Sequence, residues 1–426
     1  MKDKRRWKER GKSVLILLLS ASAIYLLTLT PLVQDSGVLD LFSPRQENGS
    51  DSAAVTLTAA ARPSRMAVNA GNVRYGVQYD QSAVDELFAY LSPLLGEALV
   101  SSAQPQRVTE GRWQNYLQGI CIYFDFSGEV PLSALGGWLS QRGTCDLEDS
   151  ARRIMLAKGL EDMVLLCYQS AESGLLFACE TGLTGSLHLL PAVSGVTENG
   201  VRFAFEGEDW AKSLHPYTLL TDVEERRSYT VTTPLSADKE RTWLLEALDY
   251  TGRNHASVSS GELYLDGNDR LHVLNGGCVT FDAAQGGKYP VATTEGSATV
   301  AEAIECAREL AESTIGTMCG EAELYLVSAE TLEEGYRIRF GYRLDGSTVW
   351  LYDEGWAAEF IVSDQYVTQF TLYFRCYTAN EGTSLMLPME KAAVILPGLT
   401  EEPMELVIQY RDRGESVIVP GWIAQS

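Results

Sequence analysis

Residues 335–352 read Gly-Tyr-Arg-Ile-Arg-Phe-Gly-Tyr-Arg-Leu-Asp-Gly-Ser-Thr-Val-Trp-Leu-Tyr. Ile338, Phe340, Tyr342 and Leu344 fall on one face of an extended chain, with Arg337, Arg339 and Arg343 on the other. That two-residue period is the mark of a strand buried on one side. Asp345-Gly346 interrupts it, and glycine tolerates the positive φ that a tight hairpin needs. Val349-Trp-Leu-Tyr352 is therefore predicted to return antiparallel beside the first strand.

The same pattern spreads outward. Phe370, Leu372, Phe374 and Cys376 alternate with Thr371, Tyr373, Arg375 and Tyr377, and Leu406–Tyr410 is predicted to pair with 417–422. Upstream, 262–265 and 271–274 flank Asp266-Gly-Asn-Asp269 as another hairpin, with 277–281 as a third strand. Three hairpins of similar form suggest a duplicated βαβ-like module. Between them, Val300, Ala303, Ile304, Ala307, Leu310 and Ala311 mark one face of a helix over 299–315, and Ser236 is placed to cap a helix carrying Trp243, Leu244, Leu245 and Leu248.

In the first half, Ser82 is placed to cap a helix whose Val84, Leu87, Phe88, Leu91, Leu94, Leu95 and Leu99 share a face. A short helix at 113–117 leads into Ile120-Cys-Ile-Tyr-Phe-Asp-Phe126, a buried strand, followed by a helix after Pro131 and strands at 154–157, 163–168 and 174–180. The fold class expected is α+β: antiparallel sheets with packed helices in two or three domains. The borders read as a basic tail over 1–12, an anchor over 13–33, a flexible tether over 34–65, and α+β regions over 66–232 and 233–426, the last divisible into two subdomains.

The anchor rests on charge and hydropathy. The first twelve residues hold seven Lys or Arg against Asp3 and Glu9, and residues 14–33 carry no charge. Twenty residues at about 1.5 Å each cover the ~30 Å hydrocarbon core. Basic residues resist translocation, so the tail should stay in the cytoplasm with the bulk outside. A cleaved signal is the alternative, because Ser20-Ala21-Ser22-Ala23 imitates a cleavage site, but residues 24–33 continue the apolar run past it. Those four small residues are also the candidate contact with a partner helix, since close backbone approach drives association in lipid.

Beyond the tail, 27 basic residues face 55 acidic ones, a net charge of −28. A polyanion would be repelled, which excludes nucleic acid as a partner. The eight cysteines include no Cys-x-x-Cys pair. Disulfides suit an extracytoplasmic chain, yet several cysteines sit inside apolar runs, and most read as small buried hydrophobes.

Catalytic signatures are sparse. Four histidines show no metal-binding spacing, and no Gly-x-Ser-x-Gly is present. Ser236-Ala-Asp-Lys239 matches a Ser-x-x-Lys nucleophile pattern, but its supporting motifs are missing and the serine is accounted for as a cap. Asp266-Gly-Asn-Asp269 lacks the ligand alternation of a calcium loop. No enzyme, metal or cofactor is expected. The polar strand face with Tyr373, Arg375 and Tyr377 is the candidate ligand or partner surface.

Taken together, Trp113 and Leu117 before Gly119-Ile-Cys-Ile-Tyr-Phe-Asp-Phe126, then Val130-Pro-Leu with Leu135, Trp138 and Leu139, resemble the YycH/YycI family, closest to YycH. Glu262-Leu-Tyr-Leu, the stretch 335–349, Leu387-Pro388 and Val419-Pro-Gly-Trp422 are similar to that family's shared C-terminal domain. The resemblance implies a non-enzymatic, membrane-anchored regulator of a WalK-type sensor histidine kinase in Gram-positive bacteria, acting on cell-wall metabolism, with a YycI-like companion as a further partner. The rival readings are an extracytoplasmic module for a cell-wall or peptide ligand, or a divergent serine hydrolase.

Overall fold

The computed structural model describes residues 62–425 apart from 141–142, 186, 188–197, 222, 224, 236–237, 252–253, 285–286, 294–295, 364 and 396–402. The tail, the anchor and Ser20–Ala23 within it lie outside the described residues. Among the described ones, no helix is long and apolar enough to cross a membrane.

The chain begins with β1 (Pro63–Asn69) and β2 (Arg74–Gln78), followed by helix α1 (Gln81–Val100). All seven residues of β1 are buried. The tether expected over 34–65 therefore ends earlier, since Pro63, Ser64 and Arg65 already belong to a sheet. Helix α1 is capped by Asp80 rather than Ser82: Asp80 Oδ1 accepts from the Ala83 amide at 3.0 Å. Both residue types cap well, and the apolar register with Val84, Leu87, Phe88 and Leu91 is as expected.

Next come β3 (Gln106–Arg107), α2 (Glu110–Gln118), β4 (Cys121–Pro131), α3 (Leu132–Leu139), β5 (Ser150–Lys158), β6 (Met163–Ser170) and β7 (Leu176–Thr184). They form a seven-stranded sheet in the order β2-β1-β4-β5-β6-β7-β3, antiparallel throughout. Phe88, Leu135, Phe124, Phe126, Ile154 and Leu166 pack on one face of it, and Trp113, Leu117, Tyr123, Met155 and Cys167 on the other. With both faces covered, β4 loses the polar half of its alternation. This is why Cys-Ile-Tyr-Phe reads as a continuous apolar run.

The second half adds β8 (Arg202–Phe203), β9 (Leu219–Leu220), β10 (Glu225–Thr232), α4 (Asp238–Ala247), β11 (His255–Val258), β12 (Gly261–Asp266), β13 (Asp269–Leu274), β14 (Cys278–Asp282), β15 (Tyr289–Pro290) and α5 (Val300–Ser313). Then follow β16 (Glu323–Leu332), β17 (Gly335–Leu344), β18 (Ser347–Leu351), β19 (Ala358–Ser363), β20 (Tyr366–Tyr373), β21 (Cys376–Leu385), α6 (Met389–Ile395), β22 (Glu405–Asp412), β23 (Val417–Ile418) and β24 (Pro420–Gln425). Twelve of these strands make one sheet. In it β14 pairs with β20, so the hairpins share one continuous sheet. Helix α5 covers it through Ala303, Ile304, Ala307 and Ala311, and Thr299 with Glu302 forms a capping box at its start.

The stretch 335–352 forms the β17–β18 hairpin. Asp345 and Gly346 both take positive φ, 47° and 75°, as a type I′ turn requires. Ile338, Phe340, Tyr342 and Leu344 are fully buried. Arg343 departs from the simple alternation: it is buried too, bonded to Glu323 at 3.1 Å and to the Arg62 carbonyl at 3.3 Å. Strand β16 lies beside it, with Glu323 directly opposite.

The two sheets meet where β4 is irregular. Its pairing with β5 shifts between Asp125 and Val130, and β16 bulges between Leu326 and Ser328. A Cβ at Gly128 would lie 2.3 Å from the Leu326 carbonyl oxygen, so only glycine lets these backbones touch. All eight cysteines are free thiols, and Cys121, Cys145, Cys167, Cys179 and Cys319 are buried.

Candidate functional site

The polar face expected from Tyr373, Arg375 and Tyr377 is not a surface. Strand β20 ends at Tyr373 and β21, which starts at Cys376, belongs to another sheet beside β10. The chain bends between them, so the alternation does not run through. Tyr373 is half-buried against Tyr352 and Trp356. Arg375 and Tyr377 are buried. Asp412 accepts from Arg375 Nε at 2.8 Å, from Arg375 Nη2 at 2.6 Å and from the Tyr377 hydroxyl at 2.9 Å. The guanidinium also donates to Thr233 Oγ1 at 2.7 Å and to the Glu415 carbonyl at 2.9 Å. These contacts clasp β21 to the end of β22 and take Arg375 and Tyr377 inward, leaving Tyr373 as the one partly exposed residue of the three.

Ser236 lies outside the described residues, and Lys239 is exposed on α4. Among the described residues no group of His, Cys, Asp and Glu is placed to hold a metal ion.

A different set of residues gathers at the junction of the sheets. Arg65 on β1 lies directly opposite Asp125 on β4, and Asp125 directly opposite Arg153 on β5. Opposed positions share a face of the sheet, so the three charges form a row. Glu405, the first residue of β22, reaches this row from the other half of the chain. It accepts from Arg65 through a short hydrogen bond, from Arg153 Nη2 at 2.7 Å and from Arg152 Nη2 at 2.8 Å. Asp125 accepts from Arg152 Nε at 3.0 Å.

Arg65, Asp125, Arg153 and Glu405 are all buried, none more than 7% exposed. Charges this deep persist only when paired. Burial pushes the Glu405 carboxyl up, but Arg152, Arg65 and Arg153 outweigh it and hold the group well below the usual carboxylate range. Burial likewise opposes the Arg65 charge, and Asp125 and Glu405 overcome it. His215 sits at the edge, its Nε2 3.3 Å from Arg153 Nη1. Burial and the Arg153 charge push its pKa down to about 4, so the ring is neutral at pH 7.

Beside this cluster lies a cavity of about 170 Å³ between β1, β4, β16, β18 and β22. Its wall includes Arg65, Arg152, Tyr79, Ser127, Thr348 and Gln409, and no Asp or Glu. Tyr79 takes a positive φ of 61° and accepts from the Ile408 amide at 3.1 Å. Arg226, bonded to the Tyr79 carbonyl and to Ser347, holds this turn against the Asp345-Gly346 hairpin.

None of the cluster residues is singled out by motif. One signal was available: Asp125 interrupts an apolar strand, and a carboxylate in such a place must meet a cation. The partners could not be named, because Arg65 and Glu405 are 340 residues apart.

No protein-family model and no curated protein matches the chain. Solved structures do. An uncharacterized protein from Eubacterium rectale aligns with a TM-score of 0.30 and 13% identity, covering 48% of this chain and 77% of its own. The crystal structure of YycH from Bacillus subtilis aligns with a TM-score of 0.51 and 13% identity, covering 85% of this chain and 96% of its own. The chain has a mixed α+β, YycH-like fold.

Proposed function

We propose that this chain is a non-enzymatic, single-pass membrane protein that regulates a two-component sensor histidine kinase of the WalK type and, through it, cell-wall metabolism. The observation that carries the reading is the YycH-like fold over 85% of the chain. The basic tail and the uncharged run over 14–33 support an anchored form with the N-terminus in the cytoplasm and the bulk outside. In that arrangement the kinase is met twice, by the anchor through Ser20, Ala21, Ser22 and Ala23 and by the extracytoplasmic part. Exposed charge pairs are screened beyond about 8 Å at physiological salt, so the strongly acidic exterior orients the complex more than it holds it.

The test is co-purification of the kinase in detergent with the wild-type chain, with Ala21→Leu/Ala23→Leu, and with a chimera carrying an unrelated transmembrane helix. Leucine keeps the span apolar while forcing the two backbones apart. The expected result is kinase recovery with wild type and its loss with both variants at equal membrane insertion. Equal recovery from all three would remove the helix contact from the account, and no recovery from any would remove the kinase.

A further inference from the structure

The buried cluster at the sheet junction has one positive charge too many. Arg65, Arg152 and Arg153 face Asp125 and Glu405, and His215 beside them is neutral at pH 7. Glu129 also feels Arg152 but is exposed, and it makes no ion pair with it. Arg152, whose side chain is 27% exposed, is the member of the cluster through which that charge meets solvent, while Arg65 is nearly enclosed. The excess lies against the cavity, because Arg65 and Arg152 are both in its wall and no carboxylate is.

The remaining wall is rich in donors without acceptors. Ser127 Oγ is buried and has no hydrogen-bond partner. The Tyr79 hydroxyl accepts from the Ile408 amide and Thr348 Oγ1 accepts from Gln409 Nε2 at 3.2 Å; among the described residues, neither hydroxyl donates to a protein group. Trp350 at 44% exposure and half-buried Gln425 also line the cavity and give it a mouth to solvent.

We propose that this cavity binds a small oxyanion, a phosphate or carboxylate group, held by the Arg65 and Arg152 guanidinium groups with Ser127, Tyr79 and Thr348 as hydroxyl donors. Guanidinium groups present paired N–H donors that match the oxygens of either ligand. The bound anion neutralises the cluster and satisfies the orphaned serine. It also bridges β1 and β4 of one sheet to β18 of the other, so occupancy tightens the junction of the two halves.

The experiment is isothermal titration of the full chain in detergent with sodium phosphate and, separately, sodium acetate, against sodium chloride at constant ionic strength. The titrations are repeated on Arg152→Gln and Ser127→Ala. Arg152 is partly exposed and Ser127→Ala removes one oxygen, so at least the second variant should fold as wild type. Saturable binding of one anion per chain is expected with phosphate, acetate or both. It should weaken at least about tenfold in Arg152→Gln and severalfold in Ser127→Ala. Tighter phosphate binding would assign phosphoryl ligands, and tighter acetate binding carboxylates. No saturable heat above the chloride control, or affinity unchanged in a folded Ser127→Ala and Arg152→Gln, would overturn the proposal.

Discussion

Replacing Glu405 by alanine should strike the junction of the two sheets harder than any comparable single change. The carboxylate accepts from three guanidinium groups, with Arg153 at 2.7 Å and Arg152 at 2.8 Å in addition to Arg65. Its removal leaves three cations around Asp125 alone. Arg152 can turn toward solvent, since its side chain is 27% exposed, but Arg65 and Arg153 at 8% cannot. Breaking a buried pair from one side costs about 3–5 kcal/mol. With ~2.1 cal/mol/K of unfolding entropy per residue over roughly 360 residues, that is a drop of about 4–7 °C in Tm. Thermal unfolding of the full chain, followed by tryptophan fluorescence, measures it. Glu405→Gln, which keeps the shape and loses the charge, should show most of the same drop. A shift below ~1 °C in both variants would refute the view that this cluster holds the halves together.

Two further outcomes follow from the same geometry, and a third from the charge and hydropathy of residues 1–33. The His215 pKa falls from 6.5 to about 4 in the folded chain, so the unfolded chain binds the extra proton between those values; stability is full above pH 6.5 and declines by roughly 3 kcal/mol as pH falls to about 4. Denaturant titrations across that window should show the decline in wild type and lose it in His215→Gln. Gly128→Ala should cost about 1–3 kcal/mol, because the added methyl meets the Leu326 carbonyl and Val327 backbone, whereas Gly137→Ala in α3 meets nothing within 4 Å and should gain up to about 1 kcal/mol; urea unfolding of both compares the signs. An alkaline phosphatase fused after Ser426 should be active only when the C-terminus is outside the membrane, and an inactive fusion with an active cytoplasmic reporter would reverse the topology.

What the sequence disclosed and what it hid divide along the range of the interactions. The β17–β18 hairpin was legible because Asp345-Gly346 and the alternation before it are local, and so were the apolar face of α1 and the run of β4. The cap of α1 was displaced by two residues because Asp80 and Ser82 compete for one role and only the turn at Tyr79 decides. Arg375 and Tyr377 were misplaced because alternation says nothing of a bend, and Asp412, which draws both inward, comes 35 residues after Tyr377. The junction cluster was least legible. Its row of Arg65, Asp125 and Arg153 depends on strand register, and Glu405 arrives from the far end of the chain.

The central claim, that this chain sets the activity of a sensor kinase, is tested most directly by reconstituting a WalK-type kinase in liposomes with and without the full chain and measuring its rate of autophosphorylation. A rate changed severalfold, in either direction, is predicted when the chain is present, returning to that of the kinase alone with Ala21→Leu/Ala23→Leu. An autophosphorylation rate that is the same with the wild-type chain, the variant and empty liposomes would contradict it.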